Sequence, residues 1–380
     1  MEQLAHLVAA IATVGAVFLT GCQPPEEEFT LDPARVYLDA KTVLLQSAGD
    51  RDAAMRSHAI EGLAATVGTE AGATYLQALD DENPAVQFAA ALAVADTRYA
   101  PALGKLREMA KHGRGAGDKR VYCAVILALH CLGDDSQASD LGKLLFHRER
   151  EVRMDAALAM GRMGEPSATG PLKTLLGNEQ DEGVRIQLTE SLAMLGDTRS
   201  AEVIEAYTKG YFLDLRLAAI PALARVGTGR ARLALKELIR KHHPARVRVS
   251  AAGELARMGQ SNQAMYDLCM ASVRDPQKVL IEAAAQSKRA ADRDAASLRR
   301  LAILSLGWMK RDSAGTILHP RLKDRGDVRV AAALSLMRLF EGYRSRPPVP
   351  KTSTTRPTTK PATTKPAPPR PKLKTAGAKD

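Results

Sequence analysis

The stretches REVRMDAALAMGRMG (residues 150–164) and GVRIQLTESLAMLG (residues 183–196) carry one pattern. Counted from Val152 and Val184 as place 0, apolar residues stand at places 0, 4, 8 and 11, and glycine at place 12: Ala156, Met160, Met163 and Gly164 in the first, Leu188, Leu192, Leu195 and Gly196 in the second. Spacings of 4, 4 and 3 put the apolar positions on one face of an α-helix. The glycine that follows suits a left-handed helix end.

The frame recurs along the chain. Place 0 is Met55, Val86, Val121, Val152, Val184, Leu215, Val247, Leu298 and Val328, and places 4 and 8 are apolar in all nine units. Place 7 is usually Ala, Ser or Gly, which lets a neighbouring helix come close. Most units continue with a second short apolar pattern, such as Ala138 to Leu145 and Ala231 to Ile239. Each unit therefore reads as helix, tight turn, helix. A pair of this size cannot bury its apolar face alone, so stacked neighbours bury it for one another. Aromatic content of 4% agrees, because a core of Ala, Leu, Val and Met suits close-packed helices.

These residues resemble the HEAT family, in particular the short bacterial repeats also found in phycobilin lyases. The resemblance rests on the Val-Arg pairs at 152–153, 184–185, 247–248 and 328–329 and on Leu-Gly-Asp at 132–134 and 195–197. It covers about 290 residues. The fold it implies is all-α: a right-handed α-solenoid of about nine HEAT-like two-helix repeats, followed by a disordered tail. It also implies an inter-repeat ladder at place 1, formed by Arg153, Arg185, Arg216, Arg248, Arg299 and Arg329. Asp181, Asp214, Asp294 and Asp327 are the expected acidic partners.

Two intervals are irregular. Fifty-one residues separate Val247 from Leu298, against 30 to 35 elsewhere. Pro276 and the helix formers after it predict an extra or lengthened helix within about 274–293. Repeat two lacks the closing glycine, and residues 111–119 (KHGRGAGDK) read as a mobile loop. Their glycines fail the phosphate-loop spacing, since no Gly-Lys-Ser/Thr follows.

The ends carry different signals. Residues 7–19 form an uncharged apolar run, and Leu19-Thr20-Gly21-Cys22 resembles a bacterial lipobox. The expected organisation is a signal peptide at 1–21, lipidation at Cys22, a polar tether at 22–31 and the solenoid at 32–343. The stretch before the apolar run has no Lys or Arg, a departure from secretory signals. Gln23 favours the outer membrane, if the cell is Gram-negative, over other addresses in the envelope. Residues 344–380 hold ten basic residues, one acid and nine of the 20 prolines. That composition predicts a disordered basic arm. It carries +9 of the net +11, so the rest of the chain is nearly neutral and nucleic acid is not the expected partner.

Catalytic signatures are missing. There is no His-Glu-x-x-His, no Gly-x-Ser-x-Gly and no Cys-x-x-Cys. His242-His243 lie in a basic inter-repeat segment with no further ligand of metal-binding spacing. The expectation is a non-enzymatic, lipid-anchored scaffold of the bacterial envelope. It would use no metal or cofactor and would bind unknown protein partners, with anionic envelope polymer as a further contact for the tail. Two alternatives stay open: an enzyme or accessory of phycobilin-lyase type, and a cytosolic scaffold whose tail touches nucleic acid.

Overall fold

The structure is a computed structural model that describes residues 30–197, 199–286 and 294–346. The signal segment, Cys22, most of the tether, residues 287–293 and nearly all of the tail lie outside the described residues.

Nineteen α-helices make up the described chain, with no strand among them. The first helices of the nine repeats are α2 (Ala53–Thr66), α4 (Pro84–Thr97), α6 (Lys119–Cys131), α8 (Arg150–Met163), α10 (Glu182–Met194), α12 (Leu213–Val226), α14 (Ala245–Arg257), α17 (Ala295–Leu306) and α19 (Asp327–Leu339). The second helices are α3 (Gly72–Ala78), α5 (Leu103–Arg114), α7 (Asp140–Leu144), α9 (Thr169–Asn178), α11 (Ser200–Lys209), α13 (Gly229–Leu238), α15 (Gln263–Arg274) and α18 (Gly315–Leu318). An extra helix, α16 (Pro276–Gln286), stands in the long interval between α15 and α17. The first helix among the described residues, α1 (Pro33–Ser47), precedes repeat one.

Local sequence sets these boundaries. Asp52, Asn83, Asp118, Asp181 and Asp294 cap first helices by accepting backbone N–H bonds. At the other end, place 12 is left-handed in seven of the nine repeats, and in repeat one the left-handed residue is Gly68, one place later. Glycine fills place 12 five times, but Arg98 and Lys310 adopt the same conformation with φ of 51° and 53°. The register of the turn is thus kept even where glycine, the residue that takes it at least cost, is lacking. The segment 111–119 differs from expectation. Residues 111–114 complete α5, and the Lys119 ammonium donates to the carbonyls of Gly113 and Gly115 at 2.7 and 2.6 Å. A cation bound to the exposed carbonyls of a helix end fixes the turn.

Small residues set the spacing between neighbouring first helices. A Cβ on Gly161 would stand 2.8 Å from the Ser191 Cα, and one on Gly307 would stand 2.7 Å from the Ser335 Cα.

The sequence did not announce closure. Each first helix packs on the next, and α19 packs on both α2 and α1. The nine first helices therefore form a ring, and α1 serves as the second helix of repeat nine. The register is continuous across the seam. Gly253 at place 6 meets Ser305 at place 7 of the following repeat. In the same way Leu334 at place 6 meets Gly62 at place 7 of repeat one. Polar contacts join the two ends: Arg329 donates to the Gln46 Oε1 at 3.1 Å, and Arg344 donates to the Val67 carbonyl at 2.9 Å and to Glu70. Tyr37 of α1 and Phe340 after α19 are fully buried.

A ring of parallel first helices has two rims. The turn rim carries the place-12 turns; α1 starts there and α19 ends there. The entry rim carries the segments that lead into each first helix.

Candidate functional site: the lumen and the entry rim

Side chains at places 3, 6 and 10 of repeats seven to nine face the lumen. Arg162 pairs there with Asp96 two repeats away, and Arg225 pairs with Glu190. A cavity of about 440 Å³ is lined from α2, α12, α14, α17 and α19, on opposite sides of the ring. His58 and Glu61 enter it from α2. The protein around them removes much of their hydration, which raises the Glu61 carboxyl above its usual range and lowers the His58 imidazole below its own. Arg300 acts on both, lowering each, and stands 3.6 Å from Asp327. Arg257 pairs with Glu254 at 2.8 Å. Arg338 lies over the Trp308 ring at 4.3 Å, and desolvation, reinforced by the nearby Arg257 charge, lowers its guanidinium to about 10.

The entry rim is apolar in places. Phe146 is 52% exposed, Tyr211 75%, Phe212 65%, and Ile281 on α16 69%. Tyr211 and Phe212 form an edge-to-face pair with centroids 5.6 Å apart. Single exposed apolar residues are ordinary on a surface, but adjacent exposed aromatics are typical contact residues.

The place-1 arginines face the segments between repeats. Arg153 donates to both Glu179 oxygens, at 2.7 and 3.1 Å, and to the carbonyls of His147 and Arg148. Arg185 donates to the Leu176 and Glu179 carbonyls and the Tyr207 hydroxyl. Arg216 donates to the Thr208 carbonyl and lies 2.9 Å from the His243 Nδ1. Arg248, Arg299 and Arg329 donate to the Ile239 carbonyl, the Val273 carbonyl and Gln46. Asp181, Asp294 and Asp327 pair with other arginines: Arg150, Arg246 and Arg300. Cys22 lies outside the described residues.

Glu237, His242 and His243 come together closely enough to share a cation. The Arg216 guanidinium beside His243 argues against one. It can only donate, so it fixes the His243 Nδ1 as acceptor and leaves the ring proton on Nε2. It would also repel a metal ion.

Cys123 and Cys269 are buried, and Cys131 is partly so. Burial raises all three thiols, that of Cys269 to about 12. The thiolate is the reactive form. Iodoacetamide at pH 8 should therefore leave Cys123 and Cys269 unlabelled in the folded protein and label both fully in denaturant. Mass spectrometry of the alkylated peptides checks this, and rapid native labelling of Cys269 would contradict it.

Residues 42–116 and 114–193 match the family model for HEAT repeats. The two matches run from within α1 into α10, and the same frame continues to α19, so the chain is an α-solenoid of HEAT-like repeats. No curated protein sequence matches it. Among solved structures, the complex of CpcE and CpcF of phycocyanin lyase from Nostoc sp. is 17% identical with a TM-score of 0.40; the match covers 69% of this chain and 97% of that one. Human deoxyhypusine hydroxylase in complex with glycerol is 18% identical with a TM-score of 0.35, covering 81% and 98%. Overlays this loose transfer neither chemistry nor partners.

Two groups escaped the sequence reading. Trp308 and Arg338 share place 10 in neighbouring repeats, as do Arg225 and Arg257. The row was legible, but its convergence depends on the ring being closed.

Proposed function

We propose that the protein is a lipid-anchored, non-enzymatic scaffold of the bacterial envelope that holds a protein partner on its entry rim. The observation that supports this most is the distribution of ends and aromatics. The described chain begins and ends at the turn rim, while Phe146, Tyr211, Phe212 and Ile281 are exposed at the opposite one. A diacylated Cys22, ten residues before α1 begins to form, would tether the turn rim to a membrane and turn the aromatic rim outward. Among the described residues no helix is long and apolar enough to cross a membrane. Acyl chains would supply the affinity instead. A basic arm after Arg346 would meet anionic lipid or polymer at the membrane.

Three measurements test the reading. Wild type is expected in the membrane fraction and Cys22→Ala in the soluble one; a soluble wild type ends the anchoring claim. A photo-crosslinker at Phe212 should capture a defined partner from intact cells, and one at Leu233 on the outer surface should not. The Tyr211→Ala/Phe212→Ala double variant should lower co-purification of that partner at least tenfold without changing Tm. Equal capture from both sites would dispose of the entry rim as the docking face.

A further inference from the structure

The lumen holds a cation that no carboxylate among the described residues pairs with. Each of the other cavity arginines has a carboxylate: Arg225 has Glu190, Arg257 has Glu254, and Arg300 has Asp327. Among the described residues no carboxylate lies within ion-pair distance of Arg338. Its guanidinium is held instead on the face of Trp308, close enough to Arg257 for the two charges to disfavour each other, and Glu254, the carboxylate whose charge favours it, is already paired with Arg257. A partly desolvated cation with a like charge beside it is costly unless an anion completes the site. The wall next to it is apolar, formed by Leu301, Leu304 and Leu334. A volume of about 440 Å³ falls within the range of small-molecule sites, roughly 300–1,000 Å³.

We propose that the lumen binds a small organic anion, with its carboxylate between Arg338 and Arg257 and its apolar body against Trp308 and the leucine wall. A guanidinium already fixed on an indole face is pre-organised for a carboxylate, because its fork of donors stays free while its plane is stacked. An inorganic anion would satisfy the charge but leave the apolar wall uncovered. A neutral apolar molecule would cover the wall but leave the charge. The site is independent of the rim and of the lipid anchor.

Trp308 is the only tryptophan of the chain, so fluorescence reports on this cavity alone. The probes are octanoate, 1-octanol and inorganic phosphate, none of which absorbs where tryptophan is excited, added to the full-length protein. Octanoate is expected to change Trp308 emission saturably, with calorimetry giving the same affinity. Octanol and phosphate should each bind at least tenfold more weakly. Arg338→Gln should weaken octanoate at least tenfold while its Tm equals or exceeds that of wild type, because the variant removes an uncompensated charge. Octanol or phosphate binding as well as octanoate would overturn the proposal, and this comparison on wild type needs no variant. An unchanged octanoate affinity in a folded Arg338→Gln protein would also overturn it, as would the absence of any saturable change.

Discussion

Removing α1 is expected to unfold the ring as a whole rather than to shorten it by one helix. In an open array the terminal helix touches one neighbour, and its loss costs one interface. Here α1 packs on both α2 and α19, and Val36, Tyr37, Ala40, Val43 and Leu44 are buried by those contacts. Side chains of this kind contribute about 1.5–3 kcal/mol each when fully buried, less for alanine. Their sum, roughly 10 kcal/mol, is comparable with the entire stability of an ordinary domain. A chain lacking residues 1–48 should therefore lose its cooperative thermal transition. Point variants at the seam give the finer test. Tyr37→Ala should cost about 3–5 kcal/mol by truncating a buried aromatic. Tyr37→Phe should be neutral or stabilise by up to about 1 kcal/mol, since the Tyr37 hydroxyl is buried without a hydrogen-bond partner. Hydrogen exchange separates ring from open array directly. Closure requires amides in α1 and α19 to be as protected as those in α8, whereas fraying of both ends, with an unchanged Tm after deletion, would show an open chain.

The repeat was legible because it depends on local periodicity. Val152, Ala156, Met160 and Met163 define a face without knowledge of any other repeat, and Gly164 marks where it stops. Closure was not legible, because it depends on small rotations between repeats accumulated over nine units. No residue encodes that sum. Its trace in the sequence is α1, a helix that precedes repeat one and lies outside the nine-unit frame. Once the ring exists, that helix fills the place repeat nine leaves open. The lumen escaped for the same reason. Place 10 reads as a solvated edge on any single helix, and only the closed ring turns Arg225, Arg257, Trp308 and Arg338 toward one space. The place-1 arginines were picked out as a row, but their contacts run mainly to main-chain carbonyls. Helix periodicity carries no information about the direction of a loop carbonyl.

Within that row, Arg216→Ala is expected to be the most damaging substitution, at about 3–5 kcal/mol. Arg216 is only 1% exposed and is the largest fully buried side chain among the described residues. Its Nε donates to the carbonyl of Thr208, itself fully buried, at 2.8 Å, and its Nη2 reaches the His243 Nδ1 at 2.9 Å. Truncation opens a void between α11, α12 and the segment before α14. It also strips both acceptors of this donor, a loss of about 1–3 kcal/mol for each buried group left unsatisfied. Arg216→Met restores much of the volume but none of the donors, so it should recover the cavity part alone. Arg216→Lys keeps the charge, but one ammonium cannot span two acceptors that the planar fork reaches together. Arg185 occupies the same place one repeat earlier with a third of its side chain exposed. Water can replace its partners, so Arg185→Ala should cost about 1 kcal/mol. Denaturant melts of the four variants give the order Ala, then Met and Lys, at Arg216, with Arg185→Ala the mildest. Equal losses at the two positions would mean that the row acts through net charge, and that the buried contacts of Arg216 contribute nothing of their own.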